Sequence, residues 1–430
     1  MTTDDMTQKA TSASITRGHK APKRHNAIAM HVFGGGFLCG AMRHTNVLAD
    51  FETFTIFEES LARNAPSVRQ CIDPDGAWKA LHEYKGIDLL LGNPRCSGFS
   101  CLNVNKRGKH GHDAAQTIDL RQFWQAVRTV RPRIAVFESV QQAGTVGRPL
   151  LDAMYSDLNA IGYRFVEVYF DNYDVGVPQR RKRLFGIAVA EGECFNIAPW
   201  PLVHATVRDA IGDLQAHEAR VFPSASMSHR CDDEPHGTLS SGETLYNHIH
   251  YPLRAEWQVL VPHIKPGECL EHLTDTELAD SPTMLARRQA GKTFSWAPAQ
   301  RMSWELSNTI YSRSHVYCHP ELDRPVTVRE AARLMGYPDS WAFIGTHPFT
   351  HIGNGVSVCT AEWIMSNIMR ALDRHEETEY EILHDKRTRT LNIIQASGND
   401  IVRRFEMNKF SEVPMNAHVE DLAALGVTAT

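Results

Sequence analysis

Short apolar runs that alternate with helix-type periodicity are the feature that most constrains the fold of this chain. Short continuous apolar runs favour buried strands, whereas apolar residues three and four positions apart favour helices. Leu120, Phe123, Val127 and Val130 recur at such steps, and Pro132 then stops the helix. Strands separated by helices require right-handed crossovers, which predicts an α/β fold on a parallel sheet. The predicted strands cover residues 27–33, 54–57, 87–91, 134–137, 165–170 and 184–189.

Composition narrows the class of protein. A chain of 430 residues that is 42% hydrophobic can bury a sizeable core. No apolar stretch approaches the roughly 18 residues needed to span a bilayer. The nine cysteines show no paired spacing, so we expect reduced thiols in a cytoplasmic protein, without a zinc site. The net charge of −5 gives no overall basic field, so any nucleic acid would be held by local clusters at 180–183 and 106–109.

Changes in residue pattern predict five segments. A polar disordered arm comes first, and a catalytic, ligand-binding sheet domain follows it. A region punctuated by Pro, His, Ser and Gly comes next and predicts a smaller inserted unit. Order then returns, with a capping box at Thr327 and Glu330 and an apolar helix stripe over 360–372, before a C-terminal extension. The segments are 1–25, 26–190, 191–310, 311–373 and 374–430.

One cysteine stands in a tight turn directly after an apolar run. Residues 92–100 read Gly-Asn-Pro-Arg-Cys-Ser-Gly-Phe-Ser, so Cys96 is either a nucleophile or a small packed side chain. Phe33 and Glu138 also fall at or just past the ends of predicted strands. Ligands of such sheets bind beyond the carboxyl ends of the strands, so we expect these three residues to share one rim.

Three features suggest a nucleotide-type cofactor, and each has a plainer alternative. The glycine-rich segment 33–40 follows the first strand and serves either close cofactor approach or turn geometry. Glu58, at the end of the second predicted strand, is either an acceptor for ribose hydroxyls or a solvated carboxylate. Asp73, ahead of the third predicted strand, is either an acceptor for an adenine amine or a turn former before Pro74.

Six segments occur in an order that is known from one enzyme family. From about residue 27 to residue 372 the chain resembles the DNA cytosine-5 methyltransferases. The most specific match is Val-Pro-Gln-Arg-Arg-Lys-Arg at 177–183. The resemblance implies a Rossmann-like S-adenosylmethionine-dependent methyltransferase sheet with a smaller target-recognition region at 191–310. The six segments are 92–100, 137–140, 172–183, 206–214, 324–338 and 352–356.

The resemblance also implies a covalent mechanism. Carbon 5 of cytosine is a poor nucleophile, so the Cys96 thiolate would first add at carbon 6. Glu138 would protonate or hydrogen-bond ring nitrogen 3, and Arg181 and Arg183 would approach the base. Because these atoms are buried in a duplex, the base would be flipped out.

Further residues are assigned by the same resemblance, with double-stranded DNA as the partner and S-adenosylmethionine as the cofactor. We expect a monomer with no metal and no membrane association. The cofactor residues are Phe33, Gly35, Gly36, Glu58, Asp73, Asn93, Pro94, Asn354 and Val356. The DNA-binding residues are Arg95, Ser97, Ser100, Gln179, Arg180, Lys106 and Arg107.

The chain departs from the family pattern at its cofactor and Pro-Cys loops. His31 replaces a usual acid, and the glycine run is shorter than usual. The donor is therefore either S-adenosylmethionine or a modified form with a bulkier group. Arg95 replaces a usual Pro and either lowers the pKa of Cys96 or contacts phosphate. Ser139 replaces an Asn that helps to fix the loop near Glu138, and His351 replaces a Gln.

The same residues are compatible with three other functions. The segment 92–96 also resembles the loop of methyltransferases that modify exocyclic amines, where no cysteine is needed. A tRNA cytosine-5 methyltransferase would use the same scaffold. A catalytically inactive DNA-binding regulator is the non-enzymatic alternative.

Overall fold

The centre of the protein is a sheet that its first half supplies. The computed structural model describes residues 25–95, 98–99, 117–195, 197, 203–226, 228–292, 294 and 300–373, and the backbone of three later strands. The sheet strands are β1 (Asn26–Met30), β2 (Asn46–Glu52), β3 (Arg69–Ile72), β4 (Leu89–Gly92), β5 (Ile134–Val140), β6 (Tyr163–Asp171) and β7 (Lys182–Ala190). Within the described residues these seven strands are ordered β3-β2-β1-β4-β5-β7-β6.

The sheet is mixed, which corrects the expectation of a wholly parallel one. Strands β1 to β5 pair in parallel, whereas β7 lies between β5 and β6 and is antiparallel to both. Residues 172–181, which join β6 to β7, hold no crossover helix, and a parallel return needs about a dozen residues or more. The β6 to β7 connection is therefore a hairpin, and it brings the start of β7 to the carboxyl end of β5.

Five of the six predicted strands overlap strands of the sheet, and the one predicted at 54–57 is wrong. Residues Thr55–Phe57 form a 3-10 turn, and the second strand is β2, which precedes it. The polar residues Asp50 and Glu52 interrupt the apolar pattern of β2, so this segment lacks the continuous apolar run that predicts a buried strand. The Phe54 and Phe57 rings lie 6.2 Å apart edge to face, so they pack together on a turn.

Helices cover both faces of the sheet and divide the core into two apolar clusters. Helix α3 has the predicted apolar face, with Leu120, Phe123 and Val127 buried, and it ends at Val130 as expected. The helices before residue 160 are α1 (Gly36–Met42), α2 (Glu58–Asn64), α3 (Ile118–Val130) and α4 (Arg148–Asn159).

The predicted insertion consists of short elements. Apolar residues of 195–251 join the core cluster of the sheet, whereas those of 260–294 pack with Cys318 into a small cluster of their own. The division of the chain at 190 and 310 stays a prediction. The helices here are α5 (Val207–Ile211), α6 (Ala255–Gln258), α7 (Asp275–Leu278) and α8 (Pro282–Gln289). The strands are β8 (Arg220–Val221), β9 (Arg230–Cys231), β10 (Pro235–Thr238), β11 (Thr244–Tyr246), β12 (Ile249–His250) and β13 (Gln300–Arg301).

The C-terminal segment returns to the sheet domain. Thr327 and Glu330 form the predicted capping box. The predicted last helix is present as α11 (Val358–Leu372), and it packs against α1. Short β14 (Tyr317–Cys318) and β15 (Gly345–Thr346) flank the first of its three helices, α9 (Val328–Arg333), α10 (Pro348–Gly353) and α11 (Val358–Leu372). An antiparallel meander follows, formed by β16 (Tyr380–Asp385), β17 (Thr390–Gln395) and β18 (Ile401–Glu406). No helix among the described residues is long and apolar enough to cross a membrane.

The contact between α1 and α11 predicts an unusual cost for a glycine-to-alanine change. A Cβ atom added at Gly40 of α1 would lie 2.5 Å from the Cβ of Ala361 in α11. Alanine normally favours a helix over glycine, but overpacking here should outweigh that gain, so we expect Gly40→Ala to lower the free energy of unfolding by about 1–3 kcal/mol in urea denaturation.

Gly212→Ala is the matched control for that measurement. Gly212 has helical φ and ψ of −62° and −35°, and its added Cβ would meet only the Arg208 side chain, at 3.4 Å. We expect its effect to stay within about 0.5 kcal/mol, as for a surface site. Equal effects of the two substitutions would contradict the close packing of α1 on α11.

Candidate active site

The side chain of Glu138 ties three elements together at the carboxyl edge of the sheet. Glu138 is buried in β5. Asn93, which directly follows β4, donates from Nδ2 to Oε2 of Glu138 at 2.8 Å. Arg183 of β7 places its Nε 3.0 Å from Oε1. One carboxyl group therefore aligns the start of the Pro-Cys loop with β5 and β7.

The surroundings of Glu138 favour its neutral form. Burial raises its pKa, and Arg183, Arg181 and the hydrogen bond from Asn93 only partly offset that effect. A carboxyl group with a raised pKa is suited to sharing a proton with a ring nitrogen. Ser139 lacks the amide that the family usually has at its position, and Asn93 supplies an amide to Glu138 instead.

Two residues of the predicted site have structural partners. Gln179 is fully buried, donates from Nε2 to the carbonyl of Leu334 at 2.8 Å and accepts the Ile310 N–H at 3.0 Å. The Gln179 amide is therefore used within the protein, and its DNA contact stays a prediction. Arg181 is also buried and donates to the carbonyls of Ile310 and Gly353 at 2.8 and 3.1 Å. Its guanidinium thus binds backbone next to the site, and Arg183 is the arginine that contacts Glu138.

The ends of β1, β2 and β4 carry polar atoms that suit a cofactor. Phe33 donates its backbone N–H to Oε1 of Glu52 at 2.9 Å. The other carboxylate oxygen of Glu52 and the Oδ1 atom of Asn93 are buried without a hydrogen-bond partner among the described residues. Buried polar atoms normally have partners, so this edge of the sheet has hydrogen-bonding capacity for a bound molecule. Pro94 is buried beside Asn93.

The structure replaces Glu58 by Glu52 as the acidic residue at the end of the second strand. Glu58 is exposed in the first turn of α2, so the prediction that put it at a strand end is wrong. Glu52 ends β2 and lies 19 residues after Phe33. An acidic residue about 20 positions after a glycine-rich turn is typical of ribose binding, and this spacing was the available signal.

Asp73 fits the turn-forming alternative. Its Oδ1 accepts the N–H of Asp75 at 3.0 Å, and its Oδ2 accepts those of Ala77 and Trp78 at 3.2 Å each. A carboxylate with three backbone donors has most of its acceptor capacity filled. The predicted contact of Asp73 with an adenine amine is therefore not what its hydrogen bonds favour.

The glycine turn after β1 serves packing against the C-terminal segment. Gly35 has φ of +89°, and a Cβ at Gly36 would lie 2.0 Å from the carbonyl oxygen of Val356. The N–H of Gly34 donates to the carbonyl of His351 at 3.2 Å. Val356 is thus buried against the turn, whereas Asn354 is exposed. These glycines let two distant segments meet, and their cofactor role stays a prediction.

Arg95 and Arg180 differ in how their charges are used. Arg95 forms a two-pronged ion pair with the buried Asp119, from Nε to Oδ2 at 2.7 Å and from Nη2 to Oδ1 at 2.6 Å. The Arg95 charge is therefore balanced within the protein, and its DNA contact stays a prediction. Arg180 is exposed, with its guanidinium 4.4 Å from the centre of the Tyr173 ring, and its DNA contact stays a prediction.

Some predicted site residues lie outside the described residues. They are the nucleophile candidate Cys96 and the DNA-contact candidates Ser97, Ser100, Lys106 and Arg107. Their roles stay predictions. In the described part of the chain, no group of three or more His, Cys, Asp and Glu residues could hold a metal ion.

Comparison with known families identifies the chain. A family model described as C-5 cytosine-specific DNA methylase matches residues 35–370. The chain belongs to this family. The predicted resemblance and enzyme class are therefore confirmed, and this DNA methylase is related to enzymes that methylate cytosine with S-adenosylmethionine.

Curated relatives of this DNA methylase are type II methyltransferases. The type II methyltransferase M.XorII of Xanthomonas oryzae pv. oryzae is 27% identical over 333 residues, which cover 70% of this chain and 72% of that protein. M.DdeI of Desulfomicrobium norvegicum is 24% identical over 370 residues, which cover 77% and 86%.

Solved structures share the fold of this DNA methylase. A prophage-encoded protein of E. coli, presented as a DNA modification methyltransferase, has a TM-score of 0.62 at 20% identity and covers 81% of this chain and 99% of its own. The methyltransferase EhMeth of Entamoeba histolytica has a TM-score of 0.52 at 11% identity, with coverages of 81% and 99%. The predicted Rossmann-like methyltransferase fold is confirmed.

A buried carboxyl pair on β2 predicts how stability depends on pH. Burial raises the pKa of Asp50 and of Glu52, and the charge of Asp50 raises that of Glu52 further. The folded state therefore holds protons that the unfolded chain, with carboxyl pKa values of about 4, releases. The contribution of this pair to the free energy of unfolding should be complete below pH 4. It should decline as the pH rises through the folded pKa values, by up to about 1.4 kcal/mol per pH unit for each proton. Urea denaturation at pH 5 to 8 should show a flatter profile for Asp50→Asn, and parallel profiles would contradict it.

Because Glu52, and not Glu58, ends the second strand, we expect Glu52 to be the carboxyl group that binds the cofactor. We expect Glu52→Gln to weaken S-adenosylmethionine binding by about tenfold or more, because glutamine has one acceptor oxygen, which the Phe33 N–H would occupy, and the ribose hydroxyls would lose their acceptor. Isothermal titration calorimetry measures this directly. Glu58→Gln is the matched control, and its dissociation constant should remain within about twofold of the parent value. The reverse ranking would restore Glu58 as the ligand.

Proposed function

We propose that this enzyme methylates carbon 5 of cytosine in double-stranded DNA by covalent catalysis, with Cys96 as nucleophile. The observation that carries the proposal is Glu138, held in its buried position by Asn93 and Arg183. Asn93 lies three residues before Cys96 in the same turn. The acid therefore lies on β5 and the nucleophile follows β4 in the sequence, and these two adjacent parallel strands end at one edge of the sheet.

The chemistry requires both groups at once. Addition of the Cys96 thiolate to carbon 6 moves electron density toward carbon 5 and ring nitrogen 3. Glu138, whose pKa burial raises, hydrogen-bonds or protonates that nitrogen and so stabilises the adduct. Arg183 holds the Glu138 carboxyl in place and offers positive charge beside the ring. Carbon 5 would then form a bond to the methyl group as the S–CH3 bond of the sulfonium donor breaks and a neutral thioether leaves. Loss of the carbon 5 proton to a base, with departure of the thiolate from carbon 6, restores the aromatic ring.

The residues at the ends of β1, β2 and β4 fit S-adenosylmethionine. Its ribose hydroxyls are donors, and the second carboxylate oxygen of Glu52 is a buried acceptor without a partner among the described residues. The Oδ1 atom of Asn93 is a second such acceptor, suited to an ammonium group. Phe33 and the turn after it would complete the wall. When bound, the group supplies an electrophilic methyl group on a sulfonium.

The structure gives a modified donor no specific support. A donor with an added acidic group would need a positive partner, but burial lowers the pKa of His31 to about 4, so its ring is neutral at neutral pH. The charge of Arg95 is taken by Asp119. Ordinary S-adenosylmethionine is therefore the donor of this proposal.

The DNA-facing role falls to exposed residues of the same rim. Arg180 is exposed beside the catalytic arginines and is suited to a phosphate contact. The cytosine must leave the duplex to reach Glu138, which is buried.

Substitution of Cys96 tests the mechanism. Cys96→Ala should abolish methyl transfer, because carbon 6 then has no nucleophile, and mass spectrometry of nucleosides from treated DNA should show 5-methylcytosine for the parent enzyme only. The parent should also form a covalent adduct with DNA that carries 5-fluorocytosine. Retained activity of Cys96→Ala with a product methylated on an exocyclic amine would contradict the proposal, and preferred methylation of tRNA would contradict its choice of DNA.

A further inference from the structure

Arg95 is tied to a single carboxylate through both its side chain and its backbone. The Nε and Nη2 atoms of its guanidinium bind the two oxygens of Asp119 at 2.7 and 2.6 Å. The Arg95 backbone N–H also points to Oδ2 of Asp119, at 3.3 Å. Arg95 immediately precedes Cys96 in the sequence, so this contact holds the last described residue before the proposed nucleophile.

Asp119 is a rigid partner for that contact. It is fully buried in the first turn of α3, where a negative charge also suits the helix dipole. Phe123, one turn later, packs so closely on the end of β4 that a Cβ at Gly92 would meet its ring at 2.6 Å. Helix α3 therefore supports both ends of the short stretch from Gly92 to Arg95.

His31 brings the cofactor turn to the same carboxylate. It follows β1 with φ of 55°, is fully buried, and its Nδ1 lies 3.9 Å from Oδ2 of Asp119. Neither ring nitrogen has a hydrogen-bond partner among the residues described here. Because its imidazole is neutral, His31 packs against the ion pair without adding charge, and Arg95 balances the charge of Asp119.

We propose that the Arg95–Asp119 ion pair is the anchor of the catalytic loop. It holds the peptide before Cys96 against α3, at the position where the family usually relies on a proline, and His31 joins the cofactor turn to the same support. Arg95 and Asp119 are positioning residues that act through Cys96. The proposal rests on the proposed function for the identity of the reaction, but the anchor itself is independent of it.

Kinetics of the full-length enzyme test the anchor. We expect Arg95→Lys, which loses the planar fork, and Asp119→Asn, which loses the charge, to lower kcat by about 10- to 100-fold, because a small displacement of a nucleophile has such an effect. The rate of adduct formation with 5-fluorocytosine DNA should fall in parallel. KM for DNA should stay within about twofold, and the double variant should be no slower than the slower single variant, since the two residues act as one unit.

Other outcomes would overturn the proposal. A higher KM for DNA with unchanged kcat in Arg95→Lys would identify a phosphate contact instead. Multiplicative losses in the double variant would show that the residues act independently. The matched control is Asp157→Asn. It removes the charge of Asp157 from a partly exposed ion pair with Arg128 near the far end of α3, in which Nη1 of Arg128 lies 2.7 Å from Oδ2 of Asp157. Its kcat should stay within about twofold of the parent value, as for exposed ion pairs.

Alkylation of Cys96 separates failure of the anchor from failure of the proposed function. The rate of its reaction with iodoacetamide, mapped by peptide mass spectrometry without DNA or cofactor, should rise in Asp119→Asn because the released loop is more accessible. An unchanged rate, with an unchanged thermal midpoint, would overturn the anchor. Absence of any adduct in the parent enzyme would overturn the proposed function, while the alkylation rates would still report on the anchor.

Discussion

The fold depends on one close approach between segments more than 300 residues apart. The turn after β1 meets the C-terminal segment, with the N–H of Gly34 on the carbonyl of His351 and the carbonyl of Gly34 accepting the indole N–H of Trp341 at 3.1 Å. No side chain fits at Gly36, where a Cβ would meet Val356. This contact explains why a sheet drawn from the first 190 residues needs helices from beyond residue 327. It also places the cofactor turn against the packed C-terminal helices.

Charge pairing is the second constraint, because the site buries ionisable groups. Glu138 is matched by Arg183, Asp119 by Arg95 and Glu330 by Arg324. A buried charge that loses its partner typically destabilises a protein by about 3–5 kcal/mol, so each pair restricts the positions of two elements. Glu138 fixes β5 relative to β7, and Glu330 secures the capping box of α9. The edge where chemistry is proposed is thus held by ion pairs, whereas the sheet beneath it is held by apolar packing.

The sequence predicted most of the sheet and two of the three C-terminal helices, α9 and α11, and its misses have physical causes. Strand β2 was missed because Asp50 and Glu52 point into a buried environment and so break the apolar pattern. Glu58 was therefore placed at a strand end, whereas it lies in the first turn of α2. Glu138 and Arg183 follow from motifs, and their contact is present. The partner of Arg95 could not be foreseen, since Asp119 lies 24 positions away on a helix whose polar face looks ordinary in sequence. Gln179 and Arg181 share a motif with Arg183, but burial separates their roles.

The packing of α11 on α1 has a consequence for how the protein is made. Chains leave the ribosome N-terminus first, at about 5–20 residues per second. The interval between synthesis of α1 and synthesis of α11 is therefore on the order of tens of seconds. During that time Gly40, which packs against Ala361 of α11 in the finished protein, lacks that cover. Contacts of such long sequence separation also slow folding after release. A chain that ends before α11 would lack that cover permanently, so α1 would complete its packing only after residues 358–372 have been made.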